Sequence, residues 1–421
     1  MKYLKNTVSR LLDTVFSYPL RSLFYVFMAL PLVYIPGHHI YARGLRISFV
    51  IFIAIASCLM PILYREVVKN FGRMHPIAQR ILIIIIGLMC LSILFSKLDF
   101  GLLLFGREPD YLGILGWLSI VMFGLLLADN LNRLLFSQAV QRIVGAVLII
   151  SLVMGSAAVI GGYRMPGLMM QATTMGMYAV LALIVSLHQF IAKAKSPMQK
   201  YESLIVVLLS ITSVIFTQSR ISYLALVLVL TYFAYKYVNR RAIVFVMITV
   251  SCVVSIIALI STEYFSRLEV ASVGRGVTYR MHIYQTVAGE ALKHNIIVGN
   301  GPGVLPIYLN NVDFVPEDIA KTLNEGLIFI SAHDLFLDFA LYFGVVAALL
   351  LLGLCLWVLI NNVDSKVKRS IDSPPTKLYF TVLMLNATCN TISPEILTLT
   401  IAVLFSLLLT PTGQKKSGDV G

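Results

Sequence analysis

Polar and apolar positions along this chain fall in long blocks. Apolar runs lie at roughly 20–36, 45–63, 81–96, 112–128, 143–160, 172–192, 203–217, 221–238, 242–261, 333–360, 378–392 and 396–410. Hydrocarbon offers no hydrogen-bond partners, so apolar runs of about 20 residues must close their backbone bonds internally, as helices rather than open sheet. The pattern predicts an all-α integral membrane protein of about twelve transmembrane helices. One interruption differs in scale from the rest. Residues 262–331 form a long polar segment, whereas almost every other loop is short. The expected organisation is a bundle of about nine helices over 1–261, a polar loop over 262–331, and C-terminal helices with a short polar tail over 332–421. No period marks a repeat array.

Composition agrees. The chain is 58% hydrophobic and 13% charged with a mean hydropathy of +0.87, where average soluble chains carry about 25% charged residues. A net charge of +13 invites a nucleic-acid reading, but the placement of the charge argues against it. With a cytoplasmic N-terminus, 22 of the 33 lysines and arginines fall in inside loops and six in short outside segments. The other five lie in the long loop, which the positive-inside rule does not govern. The excess is an orientation signal. It puts both chain ends in the cytoplasm and 262–331 on the outer face of the cytoplasmic membrane. The turns around Arg164 and Ser219–Arg220 share that face. The first twenty residues lack a small-residue cleavage site and do not read as a removed signal peptide. All five cysteines sit in apolar runs without CxxC or Cys/His spacing, so neither disulfide nor metal site is indicated.

An outward-facing site has no bulk ATP or nucleotide sugar. Bond-forming chemistry there needs a donor already activated, and a lipid-linked phosphate is the obvious kind; the phosphate-loop pattern GxxxxGK[ST] is absent. Arg220, in "FTQSRISYLAL", sits between two apolar runs. It either snorkels to headgroups or holds a guanidinium tightly at a membrane rim. Arg280, with Arg275, His282, Tyr279 and Tyr284, belongs to a cationic and aromatic stretch of the loop; the plain alternative is an amphipathic surface segment. Guanidinium forks match phosphate oxygens bidentately, and two of them from different segments would clamp a diphosphate. "HNIIVGNGPG" (294–303) reads as a tight turn rather than a nucleotide motif. Ser331 and Asp334 have the form of a capping box, which puts His333 in the first turn of the following helix. There His333 is either an ordinary hydrogen-bonded side chain or a base able to take a proton near neutral pH. Asp338 follows Asp334 one turn deeper as the clear intramembrane acid. Arg107, Glu108 and Asp110 are assigned no metal, and His38 and His39 read as interfacial.

In order, "GGYRMPGLMMQATTMG", "TQSRISYLAL", "TYRMHIYQ", "HNIIVGNGPG" and "AHDLFLDFALYFGVVAAL" resemble elements of the bacterial O-antigen ligase and polymerase superfamily over roughly residues 160–360. The resemblance implies a fold similar to the type C glycosyltransferases, in the bacterial inner membrane with a periplasmic active site. It implies an undecaprenyl-diphosphate-linked glycan donor and, for ligases, a lipid A–core hydroxyl as acceptor in lipopolysaccharide biosynthesis. The implied chemistry is inverting and metal-independent, with no cofactor. Carried over, Arg220 and Arg280 would bind the diphosphate, Arg164 would assist, and His333 would activate the acceptor hydroxyl. One departure is Asp334, where the family pattern has Asn after the histidine. A single large loop favours ligase over polymerase. A transporter or flippase ranks lower, because no paired broken-helix pattern occurs in the two halves.

Overall fold

The computed structural model describes residues 19–32, 60–96, 98–106, 113–160, 165, 168, 172–237, 281, 283–285, 287–289, 295–302, 304, 334–361, 374–389 and 394–409. Among them the structure is helical, and the only strand-like pairing is one isolated bridge between Met74 and Leu409. The helices are α1 (Pro19–Ala29), α2 (Met60–Arg73), α3 (Pro76–Phe95), α4 (Phe100–Phe105), α5 (Ile114–Leu127), α6 (Leu131–Leu135) and α7 (Gln138–Ile160). They continue with α8 (Ala172–His188), α9 (Pro197–Thr217), α10 (Arg220–Tyr237), α11 (Leu335–Phe343), α12 (Val345–Ile360), α13 (Thr376–Ala387) and α14 (Pro394–Leu408). Four stretches, Pro76–Phe95, Gln138–Ser156, Ala172–Lys193 and Pro197–Thr217, are long and apolar enough to cross a membrane, and the chain is a membrane protein. Of the predicted run at 45–63 only 60–63 are described, as the start of α2, and the run at 242–261 lies outside the described residues.

Local chemistry explains where these helices begin. Both α3 and α9 open on proline, whose missing N–H costs nothing in a first turn. The residue ahead caps each of them: His75 Nδ1 accepts from Ile77 N at 3.4 Å, and Ser196 Oγ from Gln199 N at 3.3 Å. In α3, Ala78, Leu82, Ile85 and Met89 form the buried stripe, while Ile83, Ile84 and Leu91 remain exposed. An apolar outer face of this kind suits lipid. By contrast α8 is buried on nearly its whole surface, packed among α7, α9, α10 and α13. It is the axis of the bundle.

Inter-helix bonds sort the helix termini onto two ends. At one end Arg73 pairs with Asp129 at 2.7 Å, Thr376 Oγ1 donates to Asn132 Oδ1 at 2.7 Å, and Arg142 meets Glu202 at 3.1 Å. His75 packs edge-on to Trp357 and donates its amide to Leu408 O at the same end. Lys69, Arg133, Lys193, Lys195, Lys200 and Lys377 lie in or beside these segments, so these described basic residues, all assigned to inside loops, share one end. At the opposite end lie the C-termini of α3 and α9 and the N-termini of α8, α10 and α12.

Two predicted elements need correction. Residues 333–360, read as a single run, form two helices broken at Gly344, whose φ is 93°. The stretch 64–80, which falls between the predicted runs at 45–63 and 81–96 and so is expected as an inside loop, is helical over most of its length: Arg65, Lys69 and Arg73 belong to α2, and Arg80 lies in α3. The buried side of α2, with Val67 and with Asn70 donating Nδ2 to Leu125 O at 2.9 Å, explains how a charged segment still packs on the bundle.

The break at Gly344 is held open by the turn at 295–301. In a continuous helix Val345 N would donate to Leu341 O. Here it donates to Ile296 O at 2.8 Å, and Asn300 N takes its place on Leu341 O at 2.9 Å. Gly301 N likewise donates to Tyr342 O at 2.9 Å. Gly299 and Gly301 have φ of 70° and 90°, and a Cβ on either one would collide with its neighbours. The glycine-rich sequence is therefore a tight structural turn.

Candidate functional site

Arg220 is the first residue of α10 and is exposed. Only Gln218 and Ser219 separate it from the end of α9. Gln218 reverses the chain in the left-handed region, φ 48° and ψ 35°, and its amide closes on Ile215 O at 3.2 Å. Tyr223 fixes the turn from both sides, its amide on Ser219 O at 3.0 Å and its hydroxyl on Ile215 O at 2.9 Å. Such a turn fixes the backbone of Arg220, as the few residues between the two apolar runs require.

Below Arg220 the turn is buried and polar. Thr217, Ser219 and Ser222 are each at most 1% exposed. Gly176 of α8 makes this packing possible, since a Cβ there would run into Ser222 Oγ and would lie 2.8 Å from Thr217 Oγ1. Thr217 Oγ1 is satisfied by Val214 O at 2.8 Å. The hydroxyls of Ser213, Ser219 and Ser222 and Nε2 of Gln218 have no hydrogen-bond partner among the described residues. Buried polar atoms without partners are rare and call for a reason.

Met165 N donates to Phe216 O at 3.1 Å, and its side chain is wholly buried against Gly155. The backbone next to Arg164 is therefore tied to the last turn of α9, four residues ahead of Arg220. Arg164 itself lies outside the described residues, as do Arg280 and His333. Just after Arg280 the described positions of 281–289 are helical, with Ile283 and Val287 buried one turn apart and Met281 exposed. An amphipathic segment is what the plainer sequence reading expects there.

The helix after His333 starts later than predicted. Asp334 is itself the N-cap of α11, accepting from Phe336 N at 2.8 Å and Leu337 N at 3.0 Å. Asp334 is thus the cap itself and not a residue inside the first turn, and the first helical residue is Leu335, two after His333. Burial pushes the Asp334 carboxyl above its usual range; the amides of Leu337 and Phe336 pull it the other way with less effect. Asp338 is buried one turn further on. The edge-on ring contacts of Trp117 with Phe339 (5.4 Å) and Phe343 (5.6 Å) seat α11 against the start of α5.

Residues 205–352 match the family model described as O-antigen ligase. That segment belongs to the O-antigen ligase and polymerase superfamily. The superfamily is glycosyltransferase-like, and its domain here takes in Arg220, Arg280 and His333, while Arg164 lies ahead of it. No curated protein and no solved structure matches the chain.

The matched segment runs from mid-α9 through the break at Gly344 into α12. It therefore contains the Arg220 turn, the 295–301 turn and α11 together. One residue was missed from sequence. Asp338 is not the sole buried acid, because Glu395, in the first turn of α14, is only 5% exposed. Its signal was a carboxylate directly after Pro394, one position ahead of the predicted run at 396–410.

Proposed function

We propose that this protein is an O-antigen ligase: a glycosyltransferase that moves glycan from undecaprenyl diphosphate to a sugar hydroxyl of lipid A–core. The observation that carries the reading is the family match at 205–352, which holds Arg220, Arg280 and His333 in one domain. His333 takes the proton of the acceptor hydroxyl, and the acceptor oxygen attacks the anomeric carbon. The bond from that carbon to the diphosphate oxygen breaks, and the lipid diphosphate leaves with the electron pair. Arg220 and Arg280 stabilise the charge that develops on it, and Arg164 assists. The tight Arg220 turn supports this role, because it fixes the backbone position from which the guanidinium reaches a diphosphate. The unpaired hydroxyls beneath it supply hydrogen-bonding capacity at the same place.

The proposed topology has about twelve spans in the inner membrane, with 262–331 as a periplasmic loop. The gathering of basic residues at one end of the bundle supports that orientation. The test is the lipopolysaccharide ladder of a deletion strain. Unattached lipid-linked polymer beside bare core is the expected result. A single repeat unit on core means that the protein is a polymerase.

A further inference from the structure

We propose that Ser96 is a positioning residue for glycan transfer. Through its bond to the Asn300 carbonyl it locks the turn at 295–301 onto the break at Gly344 and so sets the direction of α11. The inference rests on the glycan-transfer reading above, since α11 begins two residues after His333.

The sequence 335–360 is apolar and helix-forming almost throughout, so the chain has an obvious alternative: one straight helix through Gly344. In that state Val345 N would return to Leu341 O, and no outside partner would be needed. The observed state diverts Val345 N to Ile296 O and offers Leu341 O to Asn300, whose amide lies 2.9 Å away and whose Nδ2 lies 3.4 Å away. Backbone groups freed within a membrane bundle must find protein partners. Bent and straight states therefore differ by whether the turn is docked.

Asn300 is where the docking is anchored. It is 6% exposed, and its carbonyl accepts from Ser96 Oγ at 2.7 Å. Ser96 ends α3 and also accepts from Leu98 N at 3.2 Å. Asn295 adds a second tie, Nδ2 to Phe95 O at 3.4 Å. One residue thus bonds to the end of α3 on one side and to the end of α11 on the other. Two glycines close the fit. A Cβ on Gly344 would run into the Ile297 carbonyl, and one on Gly301 would lie 2.8 Å from Ser96 Oγ.

The test uses full-length protein in liposomes with a lipid-linked glycan donor and lipid A–core, comparing wild type, Ser96→Ala, which removes the bond to the Asn300 carbonyl, and Gly301→Ala, whose Cβ would lie 2.8 Å from Ser96 Oγ. Hydrogen exchange of the same samples is followed over 295–301 and 341–346. Misplacing a reacting group lowers the chemical step without altering ground-state affinity. Both variants are therefore expected to lose about tenfold or more in kcat, with donor KM within about twofold of wild type. Exchange should rise in both segments together and not in α8. An active wild type with unchanged kcat in both variants overturns the positioning role, whatever the exchange pattern. A raised donor KM at constant kcat also overturns it, making the turn a donor contact. A wild type that transfers nothing overturns the glycan-transfer reading and this role with it. Coupled exchange in that case would leave only the structural lock.

Discussion

The amide of Met165 and the carbonyl of Phe216 lie 3.1 Å apart, joining two stretches of chain that each carry an arginine expected to face the same substrate. Met165 follows Arg164 directly, and Phe216 precedes the turn of Arg220. The bond is backbone to backbone, so it survives substitution of either arginine. Arg164→Ala is therefore expected to leave the Arg220 turn in place and to weaken transfer through donor KM, by a smaller factor than Arg220→Ala. Steady-state kinetics on both variants checks this. Equal losses in kcat from the two would contradict it.

Arg220 itself is expected to tolerate no replacement. Arg220→Ala should lower transfer by about a hundredfold or more, in the range seen when a group that stabilises leaving-group charge is removed. Arg220→Lys should also fail, because an ammonium cannot present the planar fork that grips two phosphate oxygens. Membrane levels of both proteins should match wild type, as an exposed residue at a turn contributes little to packing. Immunoblots of membranes beside lipopolysaccharide gels separate the two effects.

Gly176 tests the buried hydroxyl layer under that turn. Gly176→Ala pushes a methyl toward Ser222 Oγ and Thr217 Oγ1, and overpacking of this kind costs about 1–3 kcal/mol. Adding Ser222→Ala removes the nearest oxygen and should return part of the loss. Thermal unfolding in detergent of the two single variants and the double variant forms the cycle. Additive losses would show that α8 and α10 do not meet at Gly176.

Asp334 gives a pH signature. Its folded carboxyl titrates above the usual 3.8 because burial disfavours the charge. A group whose pKa is raised on folding stabilises the protein below its unfolded value, and that contribution is lost as pH rises through the folded value. Asp334→Asn keeps a capping oxygen without the charge. Its stability relative to wild type should therefore grow as pH rises from about 4 through the folded value, then level off. Asp334→Ala lacks the cap and should lose about 1 kcal/mol. Unfolding curves across that window decide. A flat difference between Asn and wild type would contradict the burial of this carboxyl.

The long spans were legible because their signal is local. In α3, α7, α8 and α9 apolar length alone fixes a helix, and Pro76 and Pro197 mark two of the starts. The Arg220 turn was legible for the same reason, since two apolar runs left room for only a few residues. The break at Gly344 was not. Glycine is common in membrane helices, and what opens this one is a turn whose anchoring Asn300 lies 41 residues upstream of Leu341. The capping box misled because Ser331 and Asp334 fit its spacing, whereas Asp334 is itself the N-cap and accepts from the amides of Phe336 and Leu337. In α2 the clue was present but outweighed. Val67 and Asn70 fall on one helical face within a stretch whose charges dominated the reading.

Whether Arg220, Arg280 and His333 serve one transfer reaction is tested most directly with purified protein in liposomes, with lipid-linked glycan and lipid A–core, scored for glycan joined to core. Wild type should form the joined product, and Arg220→Ala, Arg280→Ala and His333→Ala should each form almost none while remaining folded. Joined product at the wild-type rate in the three variants would contradict the account.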